Sequence, residues 1–129
     1  MVNAYSKKVI EHFKNPHNYG KMKNPDGVGK VGNPVCGDVM HLYIKVEKER
    51  IKDIKYETFG CVAAISTSSI VTDLAKGKTL KQALKIDSNK VIKSLGGLPS
   101  IKYHCSLLAV DALKKAIDDY LSKKNKKKK

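Results

Sequence analysis

Val39-Met40-His41-Leu42-Tyr43-Ile44-Lys45-Val46 alternates, with Met40, Leu42, Ile44 and Val46 on one side. Successive side chains of a strand point to opposite faces, so the pattern predicts a strand with one buried face. Ile51 to Phe59 alternates less cleanly, with Ile54 and Tyr56 inward. Glu47 to Arg50 is a charged turn between them. Together they predict an antiparallel hairpin that buries one face and wets the other.

Pro34-Val35-Cys36-Gly37-Asp38 stands just before the first strand, and Gly60-Cys61 just after the second. Antiparallel strands bring both pieces to the same end of the sheet. A third piece, Lys102-Tyr103-His104-Cys105, carries the last of the three cysteines. An odd count rules out complete intramolecular disulfide pairing. The chain shows no signal peptide, which predicts a reducing, cytoplasmic setting. These features predict a thiolate metal site with Cys36, Cys61 and Cys105 as ligands and Asp38 or His104 as the fourth. Thiolates suit zinc, Cu(I) and iron–sulfur clusters. Three of them with one N or O donor complete a tetrahedral zinc site or the terminal ligands of a two-iron cluster. The spacings fit no CxxC template, and three buried cysteines acting as small apolar groups are the bland alternative.

Further outward the pattern turns helical. Ala63 to Lys76 predicts a helix closed by Gly77, its first turns rich in small residues. Cys61 stands at its N-terminal end, where the helix dipole favours a thiolate. Thr79 to Ile86 and Ser88 to Leu95 predict two short helices, capped by Thr79 and by Asp87 or Ser88. Gly96-Gly97-Leu98-Pro99 breaks the pattern. From Ser106 to Ser122, Ala109, Ala112, Leu113, Ala116, Ile117 and Tyr120 form one stripe of a last, long helix. Neighbours on a regular helix point about 100° apart, so His104 and Cys105 share an ion only at the frayed start of that helix.

Tyr5 to Phe13 predicts a short amphipathic helix, ended by Asn15-Pro16. Asn18 to Val35 is rich in Gly and Pro, so it predicts loop with at most one short strand. Gly27-Val28-Gly29-Lys30-Val31-Gly32 matches G-x-G-x-x-G, but no helix opens after it and Pro34 follows, so a nucleotide cradle is excluded. Those glycines are expected to let the backbone approach a metal site closely. His12, His17 and His41 have no cysteine neighbour and are expected at the surface.

The expected fold is therefore α+β: a small antiparallel sheet of about three strands, packed on one side by helices, with a long C-terminal helix. A chain of 129 residues is one domain. Residues 1–122 are expected to form it, with 123–129 a disordered Lys-rich tail. No apolar run is long enough for a transmembrane helix. Net charge is +14, and removing the six lysines from Lys123 onward still leaves 20 basic against 12 acidic residues. With one arginine, no Trp and no nucleic-acid motif, this charge predicts an acidic partner surface, not specific nucleic-acid binding.

Four stretches then appear in order: Ala4-Tyr5-Ser6-Lys7-Lys8-Val9-Ile10 with Asn15-Pro16; Val35-Cys36-Gly37-Asp38-Val39-Met40; Phe59-Gly60-Cys61; and Leu98-Pro99-Ser100-Ile101-Lys102-Tyr103-His104-Cys105-Ser106. The chain resembles the IscU-type iron–sulfur cluster assembly scaffold, also found as the N-terminal part of NifU, from about Ala4 to Ser122. The resemblance implies a scaffold, not an enzyme. It implies that a cysteine desulfurase of the IscS or NifS kind passes persulfide sulfur to the chain. Iron and electrons, from a donor such as a ferredoxin, then build a labile [2Fe-2S] cluster that moves to apo-protein acceptors. It implies Cys36, Cys61 and Cys105 with Asp38 or His104 as ligands, Cys105 as persulfide acceptor and Lys102 as a supporting charge. Zinc is implied as an occupant of the cluster-free site, and a homodimer through Tyr5 or a shared cluster. Leu98-Pro99-Ser100-Ile101-Lys102 lacks the second proline of the family's segment for an Hsp70-type chaperone. Val62 stands where many members have Gly. With 44 positions from Cys61 to Cys105, and with His104, the chain resembles the Isc branch more than the SufU branch. A zinc-binding sulfur-acceptor module of the same superfamily is the alternative.

Overall fold

The computed structural model describes residues 6–33, 38–59, 62–98 and 103–127. The order is α1 (Lys7–Lys14), β1 (Gly27–Asn33), β2 (Asp38–Glu47), β3 (Arg50–Phe59), α2 (Val62–Ala75), α3 (Leu80–Ala83), α4 (Ser88–Ser94) and α5 (Tyr103–Lys127). The strands form one antiparallel sheet in the order β1-β2-β3. Lys48 and Glu49 turn the β2–β3 hairpin with φ of 53° and 63°. Positive φ at both centre positions matches the twist of the flanking strands. Met40, Leu42, Ile44, Ile51, Ile54 and Tyr56 are buried on the helix side. A register shift at Lys45/Val46 leaves Val46 only partly buried.

Helix α2 lies between α1, β3 and α5. It buries Ser66, Thr67, Ser68, Ser69 and Thr72 together with Ala63, Ala64 and Val71. Small side chains let it sit deep, and each hydroxyl finds a partner there. Ser66 donates to the Val9 carbonyl at 2.6 Å, Ser68 to Ala64 at 2.6 Å and Thr72 to Ser69 at 2.6 Å. A buried hydroxyl without such a partner is costly, so this packing depends on the pairing.

The expected caps hold, as Thr79 makes a capping box with Gln82 before α3 and Asp87 caps α4; Ser6 in addition caps α1. Gly77 follows α2 with φ 82°. The Asn18–Val35 stretch does contain one strand, β1. It also does more than a loop. Tyr56 N–H donates to Asn18 and Gly20 N–H to Tyr56, so this stretch runs parallel along the outer edge of β3. Tyr19 packs edge-on against Tyr56, ring centres 5.2 Å apart.

The β1 glycines serve a different contact from the expected one. Gly27 pairs with Ile44 and Gly29 with Leu42, so both face the helix layer. A Cβ on Gly29 would lie 2.0 Å from the Ala112 carbonyl oxygen, and one on Gly27 2.2 Å from that of Ala116. Those atoms are helix backbone and cannot swing aside. The glycines admit α5 onto the edge strand, where Asp119 accepts from Val28 N–H at 2.9 Å.

Helix α5 is longer at both ends than the 106–122 reading. Ser106 Oγ donates to the Tyr103 carbonyl at 2.6 Å, inside a first turn that already holds His104 and Cys105. At the other end, residues 123–127, expected as disordered tail, continue the helix. Lys123 meets Asp119 at 3.0 Å one turn back, and Lys124 pairs with Glu49 of the β2–β3 turn.

Candidate metal centre at the cysteine end of the sheet

Register decides what meets at this end. Asn33 pairs with Asp38 across the β1–β2 connection, and Val39 pairs with Phe59. Thr58 Oγ1 donates to the Val39 carbonyl at 2.7 Å, which holds the start of β2 to the end of β3. Helix α2 opens at Val62, three residues beyond the end of β3. The first turn of α5 packs on the first turns of α2. Thr67 Oγ1 donates chiefly to the Ala63 carbonyl at 2.7 Å, with the Ala64 carbonyl at 3.1 Å and the Cys105 carbonyl of α5 at 3.3 Å. The flanks of all three cysteine-bearing stretches therefore gather at one end of the sheet, beside the N-termini of two helices.

Of the sequence candidates, Cys105 is the third residue of α5 and is 1% exposed, part of the hydrophobic core. Asp38 opens β2 and His104 is the second residue of α5. Cys36, Cys61, Lys102 and Tyr5 lie outside the described residues. Neither α2 nor α5 has an acidic residue in its first turn. The positive ends of both helix dipoles are thus left for an anionic ligand set such as thiolates. Thiolates as a class suit soft metals and iron–sulfide units.

The reading of His12, His17 and His41 as plain surface residues is corrected for two of them. His12 is half-buried, with Nδ1 2.7 Å from Ser69 Oγ, and burial followed by the charge of His17 holds its pKa below the usual 6.5. His41 is half-buried on the outer face of the sheet. There it lines a groove of about 370 Å³ with Tyr19, Lys21, Tyr43 and Glu57. Tyr43 O–H donates to Glu57 at 2.7 Å, and burial first and this bond second push its pKa up to about 12. His17 is exposed as expected, but its Nδ1 sits 2.6 Å from Asp73 Oδ2. Nothing local in the sequence signals these contacts, since His12 and Asp73 are 61 positions apart.

Among the described residues, no helix is long and apolar enough to cross a membrane. The sequence matches the family described as NifU-like N terminal domain over residues 4–127. It is 60% identical over 122 residues to iron-sulfur cluster assembly scaffold protein IscU 1 of Archaeoglobus fulgidus, covering 95% of this chain and 80% of that one. It is 52% identical over 129 residues to the scaffold protein IscU of Rickettsia prowazekii, covering 97% and 98%. In fold it resembles the N-terminal part of a NifU-like protein from Brucella abortus. That match has a TM-score of 0.73 at 23% identity and covers 93% of this chain and 96% of that one.

Proposed function

The chain belongs to the NifU-like N-terminal domain family, and from that premise we propose that it builds a [2Fe-2S] cluster on Cys36, Cys61 and Cys105, with Asp38 or His104 as fourth ligand. It is a scaffold for iron–sulfur cluster assembly and not an enzyme, as its relatives are named. The cluster is its cargo: it receives sulfur and iron, and it gives the assembled unit to acceptor proteins.

What supports this site is that the described residues flanking the three cysteine-bearing stretches meet at one end of the sheet, held by the Val39–Phe59 pairing and by Thr67 against Cys105. In our reading the sulfur comes from a cysteine desulfurase. The Cys105 thiolate attacks the terminal sulfur of the donor's persulfide, a new S–S bond forms, and the donor cysteine leaves as thiolate. Two such sulfurs need four electrons to become two sulfides. Two ferrous ions turning ferric supply two, and an electron donor such as a ferredoxin supplies the others. Lys102 steadies the developing sulfide charge. With Cys105 1% exposed, delivery from a protein donor requires the first turn of α5 to lift from α2.

A hard carboxylate such as Asp38 is a poor match for an iron–sulfide unit, so its use would make the cluster easy to release. Zinc takes the same donors in the cluster-free form. The same proposal includes a cytoplasmic setting, pairing of two chains through Tyr5 or a shared cluster, and handling of residues 98–102 by an Hsp70-type chaperone.

The test is anaerobic reconstitution with ferrous iron, sulfide and thiol, followed by addition of an apo-ferredoxin. Sulfide-to-iron charge-transfer bands should form and then shift to the ferredoxin's spectrum. They should weaken sharply in Cys36→Ala, Cys61→Ala and Cys105→Ala. A colourless protein that keeps one zinc per chain throughout would overturn the cluster reading and favour the zinc-binding sulfur acceptor.

A further inference from the structure

We propose that His12, His17 and Asp73 form a second metal site, for a divalent ion of the zinc class, that clips α1 to the C-terminal half of α2. One ligand atom from each of the three residues lies within 4.8 Å of the others. The two imidazole rings are 4.7 Å apart between centres and tilted by 54°. Two imidazoles and a carboxylate are a donor set that zinc and its neighbours accept, with a fourth position left for water. Zinc bonds of about 2.0–2.1 Å put tetrahedral ligand atoms roughly 3.3 Å apart. An ion entering would replace the 2.6 Å His17 Nδ1–Asp73 Oδ2 contact, and both of those side chains are exposed and free to adjust.

The surroundings hold these side chains in place, which separates the cluster from a chance meeting of surface groups. Helix α1 stops at Lys14, Asn15 N–H still bonds to the Glu11 carbonyl, and Pro16 turns the chain back. His17 N–H then donates to Ser69 Oγ at 2.9 Å. Asn18 Nδ2 donates to Thr72 Oγ1 at 3.0 Å and to Asp73 Oδ1 at 3.2 Å, which orients the carboxylate. Ser69 Oγ also lies 2.7 Å from His12 Nδ1. The His12 tautomer that donates Nδ1–H to Ser69 leaves the Nε2 lone pair for an ion. Metal-binding histidines characteristically hand their other ring N–H to an oxygen acceptor in this way. Three separate stretches of chain thus converge through buried hydroxyls of α2.

This site is distinct from the cysteine centre. Asp73 is eleven residues beyond the first residue of α2, about 16 Å along the helix axis at 1.5 Å per residue. Its donor set contains no thiolate, so it suits a zinc-class ion better than an iron–sulfide unit, which is held chiefly by cysteines. It does not depend on the scaffold reading: a chain without this ion should still assemble a cluster.

The test is titration of the full chain with zinc chloride alone, read by calorimetry and by metal analysis after dialysis. His17→Arg is the key variant, because arginine can still pair with Asp73 but cannot bind the ion. Asp73→Asn is the second. Each should bind one zinc equivalent fewer than the unaltered chain under the same conditions, whatever the cysteines take up. Zinc should also raise the melting temperature of the unaltered chain more than that of His17→Arg. Histidine-ring NMR on the unaltered chain gives a reading free of any folding defect, and there the His12 and His17 signals should move together with zinc. Equal zinc uptake by the unaltered chain and His17→Arg would overturn the proposal, as would a spectrum in which His12 and His17 stay still.

Discussion

The two ends of α2 use the same kind of residue for different ends. Ser66, Thr67, Ser69 and Thr72 are all buried hydroxyls on one helix. Near the N-terminus, Thr67 reaches the Cys105 carbonyl and ties α5 to the helix. In the C-terminal half, Ser69 meets His12 and the His17 backbone, and ties α1 to it. The described residues that flank the cysteine-bearing stretches are the ends of strands and the first turns of helices. The histidines and Asp73 stand on or against the body of a helix. The contrast separates two kinds of site. Junctions let soft donors gather around a cargo that must later leave. A helix surface braced by hydroxyls holds hard and borderline donors still, as a structural ion requires.

The largest expected effect tests whether the two ends are independent. Cys105→Ala should cut reconstituted cluster absorbance by ~10-fold or more, since removing a direct ligand costs at least as much as removing its supporting groups. Zinc uptake at the His12–His17–Asp73 end should be unchanged, and joint loss would show the ends to be coupled. Next comes Gly29→Ala. Its Cβ would strike the Ala112 carbonyl oxygen, so α5 must shift, at about 3 kcal/mol of stability by urea unfolding. The cysteine end depends on where α5 lies, so cluster loading should fall with it.

Two hydroxyl deletions then compare the ends directly. Thr67→Val should cost about 1–2 kcal/mol and lower cluster yield while leaving zinc uptake alone. Ser69→Ala should cost a similar amount but weaken zinc uptake and spare the cluster. The smallest effect belongs to a control at neither end. Burial pushes the Asp119 carboxyl up, but the Val28 N–H and Lys123 outweigh it and hold its pKa below 3.8. A depressed carboxyl stabilises the fold above its unfolded value, and that contribution is lost as pH falls through the folded value. Asp119→Asn should therefore flatten the fall in melting temperature between pH 5 and pH 2, with neither metal end altered.

Much of the fold was legible because its signals are local. Alternation at Val39–Val46 marks a strand whatever surrounds it, and Thr79 and Asp87 sit at helix starts for reasons internal to one turn. The meeting of Asp38 and Phe59 at one end followed from the antiparallel hairpin alone. Gly27 and Gly29 were read as loop glycines. Their purpose depends on α5, about ninety residues later, and no pattern within β1 announces it. Residues 123–127 were read from composition as tail, yet they continue a helix anchored by Glu49 of a distant turn.

By itself the sequence determined most of the elements, the α+β class, the shared end of the strand ends that flank the first two cysteine stretches, and the family. Each rests on short-range periodicity, capping chemistry or the order of motifs along the chain. Only the tertiary structure decided that α5 rests on a glycine-lined strand, that Cys105 is buried against α2, and that His12, His17 and Asp73 meet. These depend on packing between segments far apart in sequence, where one backbone's shape selects its neighbour's position and no local pattern carries the information.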